Sequence, residues 1–100
     1  MIHVVAILTT KPGKRAEVLA EFSKIMPLVH AESGCIEYQP VTDADNAGSN
    51  QTALGPDTFI VIEKWASMDH LKAHSASAHM AEYAGTVGSL MADRKIHILD

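Results

Sequence analysis

The sequence predicts an α+β domain in which a four-stranded sheet carries helices on one side. Three observations carry this. Apolar, β-branched runs with strand character alternate with stretches of helical period in the order βαββαβ. The second helical stretch is interrupted by Ser75 and Ser77, so it divides in two. Strands one and three are apolar on both faces, although a single layer of helices covers only one. A chain of 100 residues predicts one domain, spanning 1–100.

The elements follow in order. Residues 2–10 form the first strand, with Ile2, Val4, Ala6 and Leu8 on one face, Val5 and Ile7 on the other, and a turn at Lys11-Pro12-Gly13. From about residue 14 to 33 the period becomes helical: Val18, Phe22, Ile25 and Val29 form the buried stripe, widened by Leu19 and Met26. Pro27 predicts a kink or a 3₁₀ finish, and Gly34 a stop. Residues 35–41 read as the second strand. Residues 42–57 are polar and turn-rich, too long for a tight hairpin, and read as a functional or a mobile loop. Residues 57–65 return as the third strand. A helical region from Ser67 to about Met91 follows, with Ser67 as N-cap, Asp69 in the first turn, and Met80, Tyr83, Val87 and Leu90 facing inward. Residues 96–99 close as a short fourth strand. This order defines a ferredoxin-like βαββαβ sandwich with its second helix split. The simplest cover for the open sheet face is a second copy of the sheet, which predicts a homodimer through that face.

Composition removes several function classes. The formal net charge is −4, and the eight Lys and Arg are scattered without a basic run, which argues against a nucleic-acid partner. The single cysteine, Cys35, excludes an internal disulfide and any CxxC motif, and reads as a small buried hydrophobe. The N-terminal residues lack a basic, then long apolar, secretory pattern, and no apolar run is long enough to span a membrane, so a cytoplasmic protein is expected. Gly85 and Gly88 lack GxGxxG spacing, no GxSxG occurs, and a nucleotide, nicotinamide or flavin fingerprint is missing.

The chemistry-bearing residues gather in residues 59–83. On strand three, residues 59, 61, 63 and 65 share one face, so Glu63 points the same way as Trp65. The helical pieces that follow carry His70, His74, His79 and Tyr83. His70 and His74 have an i,i+4 spacing that can place two imidazoles on one metal, but no HExxH or third ligand accompanies them, and no metal is expected. His74 and His79 flank the helix break and can converge on a pocket, where a neutral imidazole accepts a phenolic proton; otherwise they are capping or core histidines. Trp65 reads as core with its indole N–H paired, or as a wall against an aromatic ligand. Glu63 reads as a partly buried carboxylate that orients a neighbour. Tyr38 and Tyr83 read as packing or ligand contacts.

Four stretches carry a family resemblance: TTKPGKRAEVLAEF, IMPLVHAESGCIEYQP, LGPDTFIVIEKWASMDHLKAHSASAHMAEY and RKIHIL. The ExW–S–HLxAH–xxxxHMxxY string is its specific part. The chain resembles the antibiotic biosynthesis monooxygenase (ABM) domain family, and within it the small bacterial quinol monooxygenases. The resemblance implies a dimeric α/β barrel of ferredoxin-like subunits with a pocket between sheet and helices. It further implies oxidation of quinols or related dihydroxyaromatics by O2, with no flavin, haem or metal cofactor. Trp65 matches a tryptophan of one oxygenase branch; Val61 and Leu71 stand where that branch has an asparagine and a tyrosine, so its mechanism does not carry over whole. Ala6, His74 and Ala84 stand at the positions that the haem-degrading branch uses, which disfavours haem degradation. The leading expectation is a quinol-oxidising enzyme with His74 or His79 as base or proton relay. Trp65 would form the pocket wall, and Glu63, Tyr83 and Tyr38 would contact substrate. The alternatives are a dimeric protein that binds a quinone-like ligand without turnover, and an isomerase of a small polar metabolite.

Overall fold

A computed structural model describes residues 1–100. The strands are β1 (Ile2–Thr10), β2 (Cys35–Val41), β3 (Thr58–Trp65) and β4 (Met91–Leu99); the helices are α1 (Arg15–His30), α2 (Met68–Ser75) and α3 (Ala78–Val87), the last followed by a 3₁₀ turn at Gly88–Leu90. The sheet order is β2-β3-β1-β4, and every neighbouring pair is antiparallel. This is the ferredoxin-like arrangement that the sequence predicts.

Register decides which residues meet the helices. Val4 pairs with Glu63 and Ala6 with Val61 on one side of β1, and with Ile98 and Ile96 on the other. Val4, Ala6, Phe59, Val61, Glu63 and Trp65 are all buried on this face, against Val18, Phe22, Ile25 and Val29 of α1. Burying each such apolar side chain contributes roughly 1.5–3 kcal/mol. The opposite face carries Val5 and Ile7 opposite Ile62 and Ile60. These four are only half-buried, and no helix covers them.

Two boundaries differ from expectation. α1 runs as α-helix through Pro27 to His30, and the finish comes after it, where Glu32 N–H donates to Val29 O at 2.9 Å in a 3₁₀-type bond. β4 is nine residues long and begins at Met91, which sequence periodicity assigns to the helix. Its polar stretch Asp93-Arg94-Lys95 hides the strand, but β1 offers a full-length partner, pairing from His3 with Leu99 to Thr9 with Asp93. Backbone pairing along β1 outweighs the weak local β-propensity of those residues.

Candidate functional site

Local sequence builds the site at the corner between β3, the α2–α3 break and the α1–β2 turn. Ser67 caps α2 as predicted: its Oγ accepts from His70 N–H and lies 2.7 Å from His70 Nδ1. His70 is therefore occupied by the cap and does not join His74. Ser77 ends α2 by donating its hydroxyl to His74 O at 2.7 Å, and α3 restarts at Ala78. This break turns His79 back toward His74. The turn after α1 closes on Gly34, whose φ is +81°, and a Cβ there would stand 2.3 Å from His70 Cγ. Only glycine permits both the left-handed backbone and that approach. The close approach brings Glu32 beneath α2.

Glu32 is the organising carboxylate, and the sequence did not single it out. Its Oε2 lies 2.8 Å from His74 Nδ1 and 2.9 Å from His79 Nε2. A carboxylate accepts, so both ring nitrogens donate, and neutral His74 is left with its lone pair on Nε2. That nitrogen is 4.0 Å from Glu63 Oε1, too far for a direct hydrogen bond. The only signals for Glu32 in the sequence are the glycine stop two residues on and the return into β2. Neither reveals a partner 42 residues away.

Glu63 is 7% exposed and accepts a 3.0 Å hydrogen bond from Trp65 Nε1. Burial pushes its carboxyl above the usual range, against the opposing pull of the indole N–H and of His74. Trp65 is fully buried, with its ring centroid 4.6 Å from that of His74. It backs the imidazole rather than forming the pocket surface.

A cavity of about 700 Å³ opens between the sheet and α2–α3, lined mostly by apolar side chains that include Val61, Leu71, Met80, Val87 and Ile96. Its polar groups are few: Tyr38, Glu63, His74, Ser75, Tyr83 and Arg94. This is the usual chemistry of a small-molecule pocket. Tyr38 stacks on Phe22 at 5.2 Å and meets His74 edge-on at 5.3 Å; burial pushes its phenol far above the usual range. Tyr83 meets Phe22 edge-on at 5.9 Å, and burial pushes its phenol up to about 12. Both phenols are thus neutral donors at physiological pH. Of the predicted site residues, His74, Glu63, Tyr38 and Tyr83 line the cavity, while Trp65 and His79 stand behind His74 and do not. A second, shallower depression along β2 touches Met26, His30 and Lys64 and lacks the histidine–carboxylate cluster. Cys35 is half-buried, and burial together with Glu32 and Glu63 pushes its thiol up, away from a reactive thiolate. No helix is long and apolar enough to cross a membrane.

Loop 42–57 contributes nothing to the cavity lining. Asp43 accepts from Leu54 N–H, Gly55 N–H and the Gln51 amide, and Arg15 Nη1 donates to Gly55 O and Thr58 O.

A small α+β domain with one apolar pocket and a buried histidine–carboxylate cluster defines a class of small-molecule proteins. The antibiotic biosynthesis monooxygenase family model matches residues 1–86, and the chain belongs to that family. It is 39% identical to "Probable quinol monooxygenase YgiN" of Escherichia coli (strain K12), over 99% of this chain and 96% of that protein. A solved structure from Caulobacter crescentus CB15 is 31% identical and superposes with a TM-score of 0.82, covering 99% of this chain and 87% of that one. A structure from Nitrosomonas europaea, 21% identical, has a TM-score of 0.85 over 100% of this chain and 97% of its own, and shows the same fold. Family membership supports a monooxygenase-type function.

Proposed function

We propose that the protein is a cofactor-independent monooxygenase that oxidises a quinol or related dihydroxyaromatic with O2, working as a homodimer paired through the open sheet faces. The carrying observation is His74: it lines the pocket, Glu32 holds its Nδ1–H at 2.8 Å, and Nε2 is left unbonded. An imidazole fixed in that tautomer is a general base for a phenolic O–H. Glu32 acts as its positioning residue, and His79 shares that carboxylate as a relay.

An ionised dihydroxyaromatic is itself the reductant, so proximity of substrate anion and O2 in an apolar slot supplies what the reaction needs. For a naphthoquinol the balance is substrate plus O2 giving a hydroxynaphthoquinone plus water: one oxygen atom enters the ring, the other leaves as water, and four electrons come from the substrate. Tyr38, Tyr83 and Glu63 orient the ring. Trp65 keeps the imidazole in place from behind.

Oxygen consumption with a panel of reduced naphthoquinols, using metal-stripped protein, tests the reading. A rate above autoxidation that persists with chelator present supports it. If no quinol beats autoxidation while one binds tightly, the ligand-binding alternative replaces it.

A further inference from the structure

Glu32, His74 and His79 each offer one ligand atom within 4.8 Å of the others, and Glu32 Oε2 lies 2.8 Å from His74 Nδ1 and 2.9 Å from His79 Nε2. Both ring nitrogens aim at one carboxylate oxygen, so the three donors converge on one point; a cation that replaces the two N–H protons at about 2.1 Å from each nitrogen requires the carboxylate to draw back and coordinate it. Two imidazoles and one carboxylate are a donor set for a divalent first-row transition cation. The trio is held from three directions, by the α1–β2 turn, the end of α2 and the start of α3, so its geometry is set by the fold rather than by flexible surface chains. The His79 side chain is 22% exposed, which leaves a path from solvent, and His79 does not line the cavity.

We propose that Glu32, His74 and His79 form a binding site for a divalent transition cation such as Zn²⁺, and that its occupation reverses the tautomer of His74. The cation takes the Nδ1 lone pair, so the ring proton moves to Nε2. A second observation fits this state: Nε2 already faces Glu63 Oε1 at 4.0 Å, and that oxygen is fixed by the Trp65 indole. A closure of about 1 Å brings Nε2–H to hydrogen-bonding distance. Metal-ligating histidines commonly donate their second N–H to a carboxylate in this way. Resting on the proposed base role of His74, an occupied site removes the lone pair that accepts the phenolic proton, so the metal acts as an inhibitor from outside the pocket.

The test is a titration of metal-stripped wild-type protein with Co²⁺, followed by its visible ligand-field absorption, with Glu32→Gln, His79→Gln and His97→Ala run alongside. His97 lies on exposed β4, away from the trio. One equivalent per chain is expected to bind, to be displaced by Zn²⁺, and to weaken by roughly 100-fold or more in Glu32→Gln and His79→Gln, with His97→Ala unchanged. Nitrogen NMR of the His74 ring is expected to show the proton moving from Nδ1 to Nε2 on adding Zn²⁺. No saturable absorption up to millimolar Co²⁺, or binding undiminished in both ligand variants, overturns the site. Binding with the His74 proton still on Nδ1 overturns the switch. Both readouts are independent of turnover, so they succeed or fail separately from the quinol reading.

Discussion

A single carboxylate oxygen that accepts from two imidazoles orients both, and Glu32 does this for His74 and His79. Replacing it with Gln keeps the shape but lets the amide present either an oxygen or an N–H, so the tautomer of His74 is no longer fixed. Glu32→Gln is expected to lower kcat by roughly tenfold or more with KM little changed, a smaller loss than the roughly 100- to 10,000-fold that removing a base costs. Steady-state kinetics on the best quinol checks the split; a change confined to KM contradicts a positioning role. Gly34 makes this arrangement possible, because its left-handed backbone lets the turn approach His70. Gly34→Ala is expected to destabilise the fold by roughly 1–3 kcal/mol from backbone strain alone, more with the His70 clash, as read by urea denaturation. A stability within experimental error of wild type refutes that account. His74, Glu63, Tyr38 and Tyr83 were all visible in sequence as candidates because strand alternation and helix spacing place them. Glu32 is not: the helical stretch read to residue 33 covers it, whereas α1 ends at His30 and places it in the following turn, and its role exists only after the chain turns on Gly34 and meets α2.

At the scale of elements, the strands and helices were legible where apolar periodicity was strong: β1, the stripe of α1, β3, and the split second helix. Sequence periodicity leaves β4 five residues short because charged residues occupy an edge strand that is exposed along nearly all its length. Edge strands tolerate such residues, and charge there discourages pairing with other chains. The sequence predicts a functional or mobile loop between β2 and β3, and Asp43 ties it down. The amides of Leu54 and Gly55, then the Gln51 side chain and the nearby Arg15 guanidinium, hold the Asp43 carboxyl below its ordinary range. A depressed carboxyl contributes stability above the ordinary Asp range and loses it as pH falls through the depressed value. Amide exchange in residues 51–55 is therefore expected to be slow at neutral pH relative to Asp43→Ala, with the difference vanishing in acid. Equal exchange in the two proteins at neutral pH contradicts the clamp.

For the whole molecule, the open sheet face sets the expected assembly. Val5, Ile7, Ile60 and Ile62 form its apolar centre, and two such faces packed together resemble a domain core cut in half. Ile62→Lys puts charges at the middle of that interface, and is expected to weaken the dimer at least tenfold by sedimentation equilibrium. A wild-type protein that stays monomeric at tens of micromolar contradicts the paired-sheet assembly. The fold class follows from the βαββαβ order of elements, whereas substrate identity depends on the shape of a cavity that sequence spacing does not encode. The proposed reaction depends on His74 as the base in that cavity. The most direct measurement is oxygen uptake with a reduced naphthoquinol in wild type and His74→Gln, each corrected for autoxidation and each shown folded by circular dichroism. An enzyme-dependent rate is expected in wild type, falling by at least roughly 100-fold in the variant. An undiminished rate in His74→Gln, or none in wild type, contradicts that role.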